Sequence, residues 1–147
     1  MSRKAQYFRD PKNMETYLEA NHFLASINNE APEARNQTYA HNLASLNHLV
    51  LVLFTEDKTV IPKESSWFGS EADIPSDDSA AQRPLSLADR VVIPMHLQPL
   101  YKEDWIGLRK LDEKGGVVFD SCVGEHMQMG DCWERLVRQY VGGSYHS

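Results

Sequence analysis

The chain has 147 residues, a length that suits one domain. Its 41% apolar and 24% charged content is ordinary for a globular protein. A net charge of −6 with no basic stripe argues against nucleic acid as a partner, and no apolar run approaches the roughly eighteen residues of a membrane span.

Residues 1–8 carry positive charge but no apolar stretch, so they do not read as a signal peptide. Asp10-Pro11 disfavours helix just before the proline. From Asn13, a possible cap, Met14, Tyr17, Leu18, Leu24 and Ile27 repeat at helical spacing until Asn28-Asn29. Pro32 suits the first turn of a second helix, with Tyr39, Leu43 and Leu46 as its apolar stripe. His48 to Phe54 holds six apolar residues in succession, which predicts a strand covered on both faces, as in a parallel sheet. It stops at Thr55-Glu56-Asp57. Residues 70–90 are acidic, small and poor in large apolar groups, which predicts a flexible surface loop. A short extended piece, Arg90 to Pro94, follows.

Tyr101 to Lys114 reads as helix, with Trp105, Leu108 and Leu111 on one face and Gly115-Gly116 at its end. Residues 117–123 form the second strand. Trp133, Leu136, Val137, Tyr140 and Val141 mark a last amphipathic helix, begun at Gly130 or Asp131 and stopped by Gly142-Gly143. The order of elements predicts an α/β fold ending in a doubly wound parallel sheet. Two adjacent strands leave both sheet edges unpaired, so the chain reads as the C-terminal part of something larger, and the edges predict poor solubility.

Chemistry concentrates at the ends of the two strands. Open α/β sheets place functional groups past the carboxyl ends of their strands, where Asp57 lies. Val117 to Val123 likewise delivers Gly124-Glu125-His126 onto a loop. A strand that hands a histidine to a loop, with an acid earlier in the chain, is how the α/β-hydrolase fold supplies its base and orienting acid. Glu56 competes with Asp57 for the acid role. His22, His41, His48, His96 and His146 have no comparable setting. No Gly-x-Ser-x-Gly occurs in the 147 residues. Cys122 is a weak candidate nucleophile because its thiol is packed in the strand. Zinc held by Cys122, His126 and Cys132 fails on spacing and lacks a fourth ligand. The two cysteines read as free, partly buried thiols, with pairing open if the turn brings them together. Asn36-Gln37-Thr38 is a glycosylation acceptor sequence.

Several blocks resemble the lysosomal palmitoyl-protein thioesterases. Phe54-Thr-Glu-Asp57 through Pro62 to Trp67-Phe68-Gly69 resembles that family's aspartate-bearing segment. Gly124-Glu125-His126-Met127-Gln128-Met129 resembles its Gly-Asp-His-Leu-Gln-Leu. Tyr101 to Gly116, Gln6 to Pro11, Asn21 to Asn28 and Asn36 to Tyr39 are similar to the family as well; 70–90 looks like an insertion.

The resemblance implies the C-terminal part of a single α/β-hydrolase domain: a helical insert region over 1–47 near the lipid groove, and the final strands and helices over 48–147. It implies Asp57 and His126 as acid and base of a Ser-His-Asp thioesterase that needs no cofactor. The substrates it implies are S-palmitoylated proteins or peptides and other acyl thioesters, in a lysosome or vacuole reached through the secretory pathway, with Asn36 glycosylated. The family's serine, glycine-rich elbow and oxyanion donors have no counterpart in these residues, so the 147-residue chain is expected to hydrolyse no thioester alone. A non-catalytic lipid- or protein-binding module, and an esterase acting on oxygen esters, are the alternatives.

Overall fold

The computed structural model describes Arg9, residues 13–72 and residues 91–142. In chain order it holds helices α1 (Met14–Ala20), α2 (His22–Ile27) and α3 (Gln37–Ala44), strand β1 (Leu49–Phe54) and strands β2 (Ser70–Glu71) and β3 (Val92–Ile93). Helices α4 (Pro99–Lys102) and α5 (Leu108–Glu113), strand β4 (Val117–Cys122) and helix α6 (Cys132–Tyr140) complete it.

The two predicted strands pair in parallel, from Leu49 opposite Val117 to Phe54 opposite Cys122. Helices flank them, and this is the arrangement of part of an α/β-hydrolase fold. Among the described residues each of these strands pairs only with the other. Burial of β1 differs from expectation: Leu53 and Phe54 are buried, while Leu49 to Val52 are half-buried. On the side of Val50 and Val52, α6 does not close over the strand: Trp133 and Val137 of α6 and Val141 just after it stay exposed beside a cleft of about 260 Å³ that these valines line. The amphipathic stripe is present, but it does not close onto the sheet.

Helix α6 is tied to β4 by two other means. Arg135 donates to both oxygens of Asp120, at 2.8 and 2.7 Å, a bidentate pair that holds the Asp120 carboxyl below the usual carboxylate range. Cys122 and Cys132 form a disulfide with Cα atoms 5.8 Å apart, inside the range such bridges need. The expectation of free thiols is therefore corrected: the turn after β4 folds α6 back over the strand end. The same bond removes both thiols as nucleophile or metal ligand. For a bridge spanning ten residues, the loss of loop-closure entropy is worth about 3 kcal/mol. Replacing both cysteines by alanine should lower the urea midpoint accordingly. Alkylation of the unfolded, unreduced chain should modify neither cysteine; labelling of both would contradict the pairing.

The predicted helices are shorter than their periodicity suggests. The segment from Asn13 splits at Asn21, which is buried and caps α2 by accepting the Leu24 amide proton at 3.0 Å, whereas the Asn13 side chain caps nothing. Pro32 opens a three-residue 3-10 turn, and the second helix starts at Gln37 with Asn36 as its cap. Ala40 is its buried residue; Tyr39 and Leu46 face solvent. The predicted helix Tyr101 to Lys114 breaks into α4 and α5 where Asp104 and Gly107 take positive φ. Gly107 is required there, because a Cβ would lie 2.0 Å from the Ala40 carbonyl oxygen as α3 crosses α5. Leu108 and Leu111 of the predicted stripe are fully buried.

Asn29 joins the helical N-terminal part to this region. Its amide donates to the Asn36 and Trp105 carbonyls at 3.0 and 2.8 Å, and its oxygen accepts from the Asn36 N–H at 2.8 Å. Of the predicted surface loop over 70–90, Ser70–Glu71 instead pairs antiparallel with Val92–Ile93, and 73–90 lies outside the described residues. No helix among the described residues is long and apolar enough to cross a membrane.

Candidate active site

Parallel pairing brings the two strand ends side by side, and the ladder runs on beyond them. Thr55 N–H donates to Cys122 O and Glu56 N–H to Gly124 O, both at 3.0 Å. Asp57 and His126 therefore leave the sheet at the same edge, although 69 residues separate them. His126 Nδ1 lies 2.8 Å from Asp57 Oδ2. The Asp57 side chain is 3% exposed and the imidazole 39%. The Glu56 side chain is exposed and has no hydrogen-bond partner among the described residues; of the two acids, Asp57 is the one that contacts His126.

The second carboxylate oxygen is used too. Thr59 and Val60 N–H groups donate to Asp57 Oδ1 at 2.8 and 3.0 Å, the local turn that aspartate favours. The Val60 amide first, and the His126 ring second, hold the Asp57 carboxyl below the usual carboxylate range. An ionised carboxylate only accepts hydrogen bonds. Nδ1 must then carry the proton, which leaves the lone pair of the neutral ring on Nε2. Nε2 meets no hydrogen-bond partner among the described residues, and the imidazole as a whole is partly exposed.

Supporting contacts come from the block after Asp57. Lys63 Nζ donates to Thr55 O at 2.8 Å. Trp67 Nε1–H is shared between Leu51 O and Asp120 O, each 3.1 Å away, so one indole bridges both strands, and its ring meets Phe119 edge-on at 5.8 Å. The sequence marked Trp67 only as part of a family-like block; a lone indole in a 3-10 turn carries no signal of a sheet contact.

The remaining histidines stay apart from this pair. His22 and His41 are exposed, His48 packs on Tyr140, and His146 lies outside the described residues. His96, for which the sequence offers no setting, has its Nε2 3.0 Å from Asp112 Oδ2. Tyr101 donates to the same oxygen at 2.6 Å, and that bond to a carboxylate raises the phenol to about 12. Asp112 of α5 thus holds both Tyr101 of α4 and His96 of the 3-10 turn just before α4. The spacing of sixteen residues gave no reason to join His96 to Asp112.

The family model described as palmitoyl protein thioesterase matches residues 2–126. Palmitoyl-protein thioesterase 1 of Caenorhabditis elegans is 44% identical over 126 residues, covering 86% of this chain and 37% of that protein. Palmitoyl-protein thioesterase 3 of Dictyostelium discoideum is 43% identical over 122 residues, covering 83% and 37%. Lysosomal thioesterase PPT2-B of Xenopus laevis is 30% identical over 118 residues, covering 80% and 36%. The chain thus spans a little over a third of the length of the curated relatives it matches.

Proposed function

The chain belongs to the palmitoyl-protein thioesterase family, and from that premise we propose that it supplies the acid and the base of a serine thioesterase that removes long-chain acyl groups, palmitate above all, from S-acylated cysteines. The observation that carries this reading is the 2.8 Å contact between a buried aspartate side chain and a partly exposed histidine whose Nε2 has no hydrogen-bond partner among the described residues. The nucleophile is a serine outside these 147 residues.

In the first half-reaction His126 Nε2 takes the serine proton as the hydroxyl attacks the thioester carbonyl. The resulting imidazolium is stabilised by Asp57 through Nδ1–H. The tetrahedral intermediate collapses, the C–S bond breaks, and Nε2–H protonates the departing thiolate. Water then takes the thiol's place: His126 removes its proton, hydroxide attacks the acyl-serine, and the proton returns to serine as the fatty acid leaves. Oxyanion donors must come from the same absent part as the serine.

The helical region 1–47 belongs, on this reading, to the insert near the lipid groove. The chain works in the lysosome or a vacuole, in line with the name of the Xenopus laevis relative, a lysosomal thioesterase. Asn36 is its glycosylation site: the residue is exposed, and its oxygen accepts the Thr38 N–H at 2.9 Å. Expressed in a secretory host, the protein should lose mass on treatment with an N-glycosidase. Thr38→Ala should abolish that shift while sparing the helix cap, which uses only the Thr38 backbone; an unchanged shift would contradict the site.

A chimera tests the function. In it this chain replaces the matched third of the C. elegans relative, restoring the remainder of a family member. The chimera should release palmitate from a palmitoyl thioester, and a folded chimera that releases none would sink the assignment.

A further inference from the structure

Little packing holds the loop that carries His126. Val123 is 82% exposed, Met127 64% and Met129 44%. The disulfide closes the base of the loop. Its tip is closed by one side chain that the proposed reaction does not use. Glu125 N–H donates to Gln128 Oε1 at 3.1 Å, and Gln128 N–H donates back to Glu125 O at 3.0 Å. The two bonds form a ring that encloses His126 and Met127, and Met127 sits inside it at φ 63°, a conformation non-glycine residues rarely take. Gln128 also packs against the residue that begins the loop. Gly124 has φ 146°, and a Cβ there would meet Gln128 O at 3.0 Å and Gln128 Cβ at 3.1 Å.

We infer that Gln128 is a positioning residue for His126: by accepting the Glu125 N–H, its amide oxygen fixes the backbone just before the histidine, aiming Nδ1 at Asp57. The inference rests on the proposed pairing of Asp57 with His126 as acid and base. Gln128 never touches the reacting atoms in this role. Its amide oxygen is the functional atom, so glutamate should replace it and methionine, of similar length without an acceptor, should not.

Proton NMR of the 147-residue chain tests this. The hydrogen-bonded His126 Nδ1–H gives a downfield signal, assigned by its loss in Asp57→Asn. The signal should persist in Gln128→Glu and vanish in Gln128→Met, while the Trp67 indole N–H signal, which reports the paired strands, stays in both. A signal retained in Gln128→Met, or lost in Gln128→Glu, overturns the inference. Loss of the Trp67 signal along with it in Gln128→Met makes Gln128 a fold-stabilising residue and overturns the positioning role as well. Absence of the His126 signal from the unsubstituted chain overturns the pairing itself, and the inference with it.

Discussion

Replacing His126 by alanine in the chimera lowers kcat for palmitoyl thioester hydrolysis by a factor on the order of 10⁶, the scale seen when a triad histidine is removed. The size follows from the number of proton transfers the ring performs. It accepts from serine, donates to the thiolate, accepts from water and donates back to serine, so one substitution disables both half-reactions. Among the described residues His126 is the histidine that contacts Asp57, while His48 is engaged with Tyr140 and His96 with Asp112. KM should change little, because Nε2 handles protons rather than the acyl chain. Steady-state palmitate release at several substrate concentrations separates the two constants. A loss below about tenfold would remove His126 from the mechanism.

Asp57→Asn should cost about 10⁴ in kcat. The substitution keeps shape, so the Thr59 and Val60 amides can still be accepted by the side-chain oxygen. What faces His126 is then an amide N–H, a donor where the ring needs an acceptor. The imidazole turns to the tautomer with hydrogen on Nε2, which cannot act as a base. The same carboxylate leaves a mark on stability. Its folded-state pKa is depressed, first by the Val60 amide and then by His126. Its contribution is therefore complete above the ordinary carboxylate pKa and is lost as pH falls through the lower folded value. Urea midpoints of the 147-residue chain followed from neutral pH into acid should fall less steeply in Asp57→Asn than in the unsubstituted chain. Parallel acid profiles would contradict the bonding seen at Oδ1 and Oδ2.

The parts of this site that could be read beforehand are those written in local pattern. An unbroken apolar run over Leu49 to Phe54 and a shorter one over Val117 to Phe119 suffice for two parallel strands, although only Leu53, Phe54 and Cys122 of their residues are buried. A turn-forming Gly-acid-His after the second strand suffices to put a histidine at its end. Asp57 could be named because it stands at the equivalent end of the first strand. Hidden features depend on approach through space. Asn21 interrupts a helix whose apolar residues keep their spacing on both sides of it, so periodicity carries straight through the break. Asp104 and Gly107 break the later helix for the sake of a close crossing with α3, and that crossing exists only in the folded chain. Cys122 and Cys132 look like separate thiols until α6 turns back over β4. Gln128 reads as one polar residue in a motif; its meaning comes from the backbone ring it closes.

The proposed function depends on where the proton-handling groups reside. Palmitate release from a palmitoyl thioester should be measured side by side for three purified proteins: the chimera, the chimera with His126→Ala, and the 147-residue chain alone. The predicted result is release by the first only. Turnover by the chain alone, or by the His126→Ala chimera at the rate of its parent, would contradict a thioesterase whose acid and base are Asp57 and His126 and whose nucleophile lies elsewhere.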